Sequence, residues 1–138
     1  CIVMKFTKAK ALSLYLELDK DIEKFTKQII VQGFNEIGRG CYKSVYSKNK
    51  LGYVIKIARC LNDEFAKLPS KLKNFYIKPY YIDENIVIQQ KAKTKYQEVN
   101  YNKILNKLGY ETCRCLDIIP QNCGSVKGKS VVFDFAEI

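Results

Sequence analysis

Asp117-Ile-Ile-Pro-Gln-Asn122-Cys-Gly-Ser-Val-Lys-Gly128-Lys-Ser-Val-Val-Phe-Asp134-Phe-Ala-Glu-Ile138 is the stretch on which the fold turns. It sets a carboxylate, Asp117, five positions before an amide, Asn122, and returns a second carboxylate at Asp134. Lys127-Gly128 is a turn signal, and Val131-Val132-Phe133 reads as the strand that follows it. Two loops at strand ends would then present oxygen ligands to one cleft. Such a set suits Mg²⁺, which keeps several waters and completes its shell with substrate phosphates.

Upstream, residues 34–58 change character to β-type runs around Gly38-Arg39-Gly40, with a second turn near Asn49–Gly52. Taken alone, Gly38-x-Gly40 is more often an ordinary turn than a cradle for phosphates, although small residues do let backbone N–H groups approach an anion. Lys56 sits in a hydrophobic strand (Val54, Ile55, Ile57), where a charge is costly unless it meets an anion. Residues 61–68 form a short helix candidate capped by Asn62, with Glu64 in its first turn. Residues 76–93 read as a hairpin turning at Asp83-Glu84-Asn85. Residues 96–108 read as a helix with Tyr101, Ile104, Leu105 and Leu108 on one face and Gly109 as its stop. That helix leads straight into the Asp117 loop. At the N-terminus, Leu12, Leu14, Leu16 and Leu18 alternate like a strand, but the longer stripe favours a helix from about Asp19 to Ile30, with Asp19 and Asp21 at its start.

Taken in order, these pieces resemble a protein kinase. Gly38-x-Gly40 with Tyr42 and Val45 looks like the glycine-rich loop, Lys56 like its following strand lysine and Glu64 like the helix glutamate. Gln89–Lys93 looks like the hinge, Asp117-x-x-x-x-Asn122 like the catalytic loop and Asp134-Phe135 like D-F-G. The resemblance covers residues 34–138. It implies an α+β fold: a kinase-like small lobe, an antiparallel sheet plus helix, joined to a much reduced large lobe. Within one domain of 138 residues, residues 1–33 would be a helical extension, 34–93 small-lobe-like and 94–138 large-lobe-like.

What the resemblance implies chemically is phosphoryl transfer from ATP with Mg²⁺ as cofactor, of the Ser/Thr or autophosphorylating type. Asp117 would receive the proton of the attacking hydroxyl, Lys56 would grip the nucleotide phosphates, and Glu64 would steady Lys56. Gly38, Gly40, Tyr42, Val45 and Gln89 would line the nucleotide site, and Asn122 and Asp134 would hold the metal. Several positions depart from the family pattern. Lys43 replaces the third glycine, Leu116 stands where an arginine often precedes the aspartate, and Ala136 replaces the glycine of D-F-G. Ile119 takes the place of a lysine that contacts the transferred phosphate. The sequence also stops four residues after Asp134, so a substrate platform is expected from a partner. Very small kinase-like proteins of this sort occur among bacterial effectors, phages and viruses. The second expectation is a pseudokinase that binds nucleotide or a partner without transfer.

Composition bounds these readings. With 47% hydrophobic and 28% charged residues the chain reads as a soluble globular domain. No apolar run is long enough to span a bilayer and no secretory signal pattern opens it, so a cytoplasmic location is expected. The six cysteines come without any histidine, which argues for reduced thiols over a zinc site. A net charge of +10, carried almost entirely by lysine, attracts polyanions, but the lysines are scattered along the sequence. The partners expected are therefore a nucleotide and a protein substrate or partner. A basic nucleic-acid-binding domain ranks last.

Overall fold

The computed structural model describes residues 6–39, 43–58 and 70–134. The chain divides into two compact units: Cys1–Ala66 with Pro79–Gln90, and Lys67–Lys78 with Lys91–Ile138. The architecture is α+β, with a five-stranded antiparallel sheet in the first unit and a two-stranded sheet with helices in the second.

Unit 1 opens with two helices, α1 (Lys8–Glu17) and α2 (Ile22–Val31). Thr7 Oγ1 accepts the Lys10 N–H at 3.2 Å, and Asp21 Oδ1 accepts the Lys24 N–H at 3.1 Å, so each helix starts at a side-chain cap. The leucine alternation expected to compete for a strand lies within α1. Its buried stripe runs through Ala11 and Tyr15, and that helical spacing outweighs the period of two. The single stripe from Leu14 to Ile29 is broken by Asp19 and Lys20, both at positive φ (53° and 61°). Helix α2 consequently starts after Asp21 and not at Asp19.

The sheet of unit 1 runs β1 (Asn35–Arg39), β2 (Lys43–Ser47), β3 (Tyr53–Ala58), β5 (Ile86–Gln90) and β4 (Tyr81–Ile82) in spatial order. Every residue of β3 is buried, because it is the central strand and has both faces covered. Tyr53, Ile55 and Ile57 share one face, and with Tyr46, Ile86 and Ile88 they pack against Tyr15, Phe25, Ile29 and Phe34. Tyr15 meets Phe25 edge-on, with centroids 5.3 Å apart. This core joins the described helices α1 and α2 directly to the sheet. Strand β4 is only two residues long. The hairpin expected from Tyr76 starts late because Phe75–Ile77 pairs elsewhere and Pro79, which has no N–H, breaks the run between them.

Unit 2 contains α3 (Gln97–Leu108), α4 (Tyr110–Cys115), a 3₁₀ turn at Pro120–Asn122, and the hairpin β6 (Cys123–Val126) and β7 (Lys129–Val132). Gly109, at φ 88°, ends α3 as expected. The chain does not run straight from α3 into the Asp117 loop, since α4 intervenes and contributes buried Cys113. Lys127 and Gly128 at φ 51° and 80° make the two-residue turn, the twist-matched form for a hairpin. Phe75–Ile77 runs alongside β7: the Val132 N–H donates to Phe75 O at 2.7 Å, and Ile77 N–H to Val132 O. Leu72, Ile104, Cys113, Leu116, Ile118, Cys123 and Val132 form the core of this unit. No helix among the described residues is long and apolar enough to cross a membrane.

Candidate active site

Asp117, Asn122 and Asp134 all belong to unit 2, and backbone geometry ties them together. Asp117 follows α4 at φ 50°, a left-handed conformation that is costly for a residue with a side chain. The turn is held by the Asp117 N–H donating to Arg114 O at 3.2 Å and Ile118 N–H to Cys113 O at 2.8 Å. Asn122 then closes the loop, with its Nδ2 donating to the Asp117 carbonyl at 3.2 Å. The Phe133 N–H donates to Asn122 O at 3.0 Å, fixing the chain just before Asp134. Two hydrogen bonds thus tie the Asn122 side chain to the Asp117 carbonyl and the Asn122 carbonyl to Phe133, the residue before Asp134.

The loop is also pinned from outside. Gln97, at the start of α3, donates from Nε2 to Gln121 O at 3.2 Å and to Cys123 O at 3.1 Å. Gly124 is approached so closely that a Cβ there would lie 2.5 Å from Lys93 O, so this position of β6 requires glycine. Tyr76 is the residue that sequence reasoning missed. Its hydroxyl pKa is pushed up by burial and, to a smaller degree, by the negative charge of Asp134. The parallel pairing of 75–77 with Val132 puts it there, a long-range contact without a local signal.

The donor set is all oxygen. The Asn122 amide is oriented by its bond from Nδ2, which leaves Oδ1 as its acceptor end. Asp117 and Asp134 supply carboxylates, and both are half-buried. No group of three His, Cys, Asp or Glu exists among the described residues. An all-protein cage is therefore not formed there. Oxygen donors of this kind are the ligand type that Mg²⁺ takes.

In unit 1, the register sets Gly38, Val45, Lys56, Val87 and Ile82 side by side across the sheet. Side chains in one such row share a face, opposite the face that packs on α1 and α2. Lys56 is 2% exposed and has an interaction partner in the folded chain. Gln89 pairs with Val54 inside β5 and is 1% exposed; the segment that leaves the sheet begins at Lys91. At Gly38 a Cβ would meet Val45 at an ordinary 3.8 Å, so the described residues do not themselves demand glycine. Gly40, Tyr42, Glu64 with its 61–68 helix, Phe135 and Ala136 lie outside the described residues.

Compared with protein-family models, with curated proteins and with solved structures, the chain matches none.

Proposed function

We propose that this chain is a Mg-ATP-dependent, protein-kinase-like phosphotransferase, of the Ser/Thr or autophosphorylating type, acting with or on a partner protein. The observation that carries the proposal is the closure of the Asp117–Asn122 loop by the Asn122 side chain, with the strand end before Asp134 bonded to Asn122 O. That closure supports a reading in which Asp117 serves as proton acceptor while Asn122 and Asp134 serve a metal. Phosphoryl transfer depends on such positioning and on charge stabilisation, with little covalent work for the protein.

In this scheme Asp117 accepts the proton of the attacking hydroxyl. Asn122 Oδ1 and Asp134 would hold Mg²⁺, whose charge would offset that of the phosphates. Lys56 lies in a buried sheet face, where an ammonium is favoured by a phosphate as counter-charge. Val45 and Gly38 lie in the same row of the sheet and offer the base an apolar surface. Gly40, Tyr42 and Gln89 are the remaining nucleotide positions, and Glu64 would steady Lys56.

A second reading is favoured by Ile119. It is 40% exposed and apolar at the loop position where a lysine would meet the transferred phosphate. A chain that binds nucleotide or a partner without transfer accommodates that residue. Transfer of labelled γ-phosphate from Mg-ATP decides between the two, comparing the parent with Asp134→Asn and Lys56→Met, each checked for an unchanged melting profile. Label that is lost in both variants supports the transferase. No label with an ATP-dependent rise in melting temperature supports the binding protein. Neither signal refutes both.

A further inference from the structure

The lysines that are scattered in sequence are gathered once unit 2 folds. Lys67–Lys78 with Lys91–Ile138 holds twelve Lys and Arg against five Asp and Glu, a net of +7, whereas unit 1 carries +3. Lys93 forms an antiparallel bridge with Ser125, its N–H donating to Ser125 O at 2.8 Å and the Ser125 N–H returning to Lys93 O at 2.9 Å. The chain around Lys93 therefore lies as a third strand beside β6 and β7. Its direction carries Lys91 toward the Lys127–Gly128 tip and Lys95 toward the Cys123 end.

Lys91, Lys93, Lys95, Lys127 and Lys129 are all exposed. The segments 91–95 and 127–129 contain no acid, and the closest acid in sequence is Glu98. None of the five forms an ion pair with the described residues. Lys93 shares a row with Ser125 and Ser130, whereas Lys129 stands opposite Val126 and so belongs to the other face. Lys91, Lys93 and Lys95, with Lys127 at the tip toward which Lys91 runs, make one basic edge whose mutual repulsion a polyanion relieves. Tyr96 continues it. It is 64% exposed, and Lys95 Nζ stands 5.3 Å from its ring centroid.

We infer that this edge, Lys91, Lys93, Lys95 and Lys127 with Tyr96, is a binding surface for single-stranded nucleic acid, engaged through the phosphate backbone without sequence preference. Lysine is a point charge that neutralises phosphate and lacks the fork that reads base edges, and the ribbon has no arginine. Lysines at alternate positions of an extended segment stand about 6.7 Å apart, close to the separation of successive phosphates along an extended strand. An exposed tyrosine offers a stacking face that only an unpaired base can use. A bilayer would need several apolar anchors, and Tyr96 and Val99 are the exposed large hydrophobics at this end of α3. The inference is independent of phosphotransfer.

Fluorescence anisotropy of labelled oligouridylate with the full chain tests it. Four phosphate contacts predict a log Kd against log salt slope of about 2.8, roughly fiftyfold weaker binding between about 50 and 200 mM salt. Lys91→Ala/Lys93→Ala/Lys95→Ala should lower the slope to about 0.7. Tyr96→Ala should weaken binding about tenfold with the slope unchanged. Lys20→Ala/Lys24→Ala/Lys27→Ala removes the same charge from unit 1 and should leave the slope intact. The inference is overturned by absence of binding at the lowest salt, or by equal losses in the two triple variants. Capture of phosphatidylserine vesicles or polyglutamate in preference to the oligonucleotide also overturns it.

Discussion

Replacing Asp83 by alanine should destabilise unit 1 far more than its place in a hairpin turn would suggest. Its Oδ2 accepts the Tyr15 hydroxyl at 2.8 Å and the Tyr81 hydroxyl at 2.9 Å. Its Oδ1 accepts the N–H groups of Asn85 at 2.8 Å and Ile86 at 2.9 Å. One carboxylate thus fastens helix α1 to the β4–β5 turn across 68 positions of sequence. Hydrogen bonds to a charged group contribute roughly 1.5–3 kcal/mol each when buried. Asp83 is half-buried, so the four bonds are worth less than their sum, and we expect a loss of about 3 kcal/mol for Asp83→Ala. Much of that is the cost of leaving the hydroxyl of fully buried Tyr15 with only the long bond from Asn85 Nδ2 at 3.4 Å. For a unit of this size the loss corresponds to about 15 °C in melting temperature. Tyr15→Phe removes one bond and should cost about 1 kcal/mol.

The same site predicts a pH dependence. Burial alone would raise the Asp83 pKa, but the bonds from Ile86, Asn85, Tyr15 and Tyr81 outweigh it and hold the carboxyl below its ordinary value. The unfolded chain therefore binds the proton more readily. Asp83 contributes its full stability above its unfolded pKa of about 4 and loses it as pH falls through the lower folded value. Urea unfolding followed by circular dichroism should show the gap between parent and Asp83→Asn closing in that acid range. A loss below about 0.5 kcal/mol for Asp83→Ala, the size expected of a plain surface substitution, would refute the reasoning. So would a gap that stays constant into acid.

Gly124→Ala should destabilise unit 2 by about 2 kcal/mol, since its Cβ would stand 2.5 Å from a backbone oxygen; thermal melting checks it, with Gly52→Ala, where nothing lies within 4 Å, as the tolerated control. Among Cys113, Cys115 and Cys123, alkylation mapped by mass spectrometry should mark exposed Cys115 first. Cys123 should react only on unfolding, because burial, helped by neighbouring Cys113, pushes its thiol up to about 11. Asn122→Ala removes the bond to Asp117 O and should cost about 1 kcal/mol while abolishing any Mg-dependent phosphotransfer. Asn122→Asp keeps an oxygen ligand but loses the donor, so transfer that survives in Asn122→Asp at the parent rate would contradict the role given to that bond.

The sequence by itself determined what rests on near neighbours. The β-type runs of β2 and β3, the Lys127-Gly128 turn and the Gly109 stop of α3 follow from local sterics and side-chain preference, and the spacing of Asp117 to Asn122 is read directly. Tertiary structure decided the rest. Whether the leucines of residues 12–18 made a strand or a helix depended on the buried partners of Tyr15, which come from α2 and from Tyr81. The departure of Phe75–Ile77 from the expected hairpin required β7 as an alternative partner. The approach of Tyr76 to Asp134, the crossing of Lys93 over Gly124 and the alignment of the 91–95 lysines along β6 toward the Lys127 tip are equally products of contacts between distant segments. Local preferences are worth fractions of a kcal/mol per residue, whereas burying one large apolar side chain is worth about 1.5–3 kcal/mol. Where the two compete, packing against a distant segment sets the outcome.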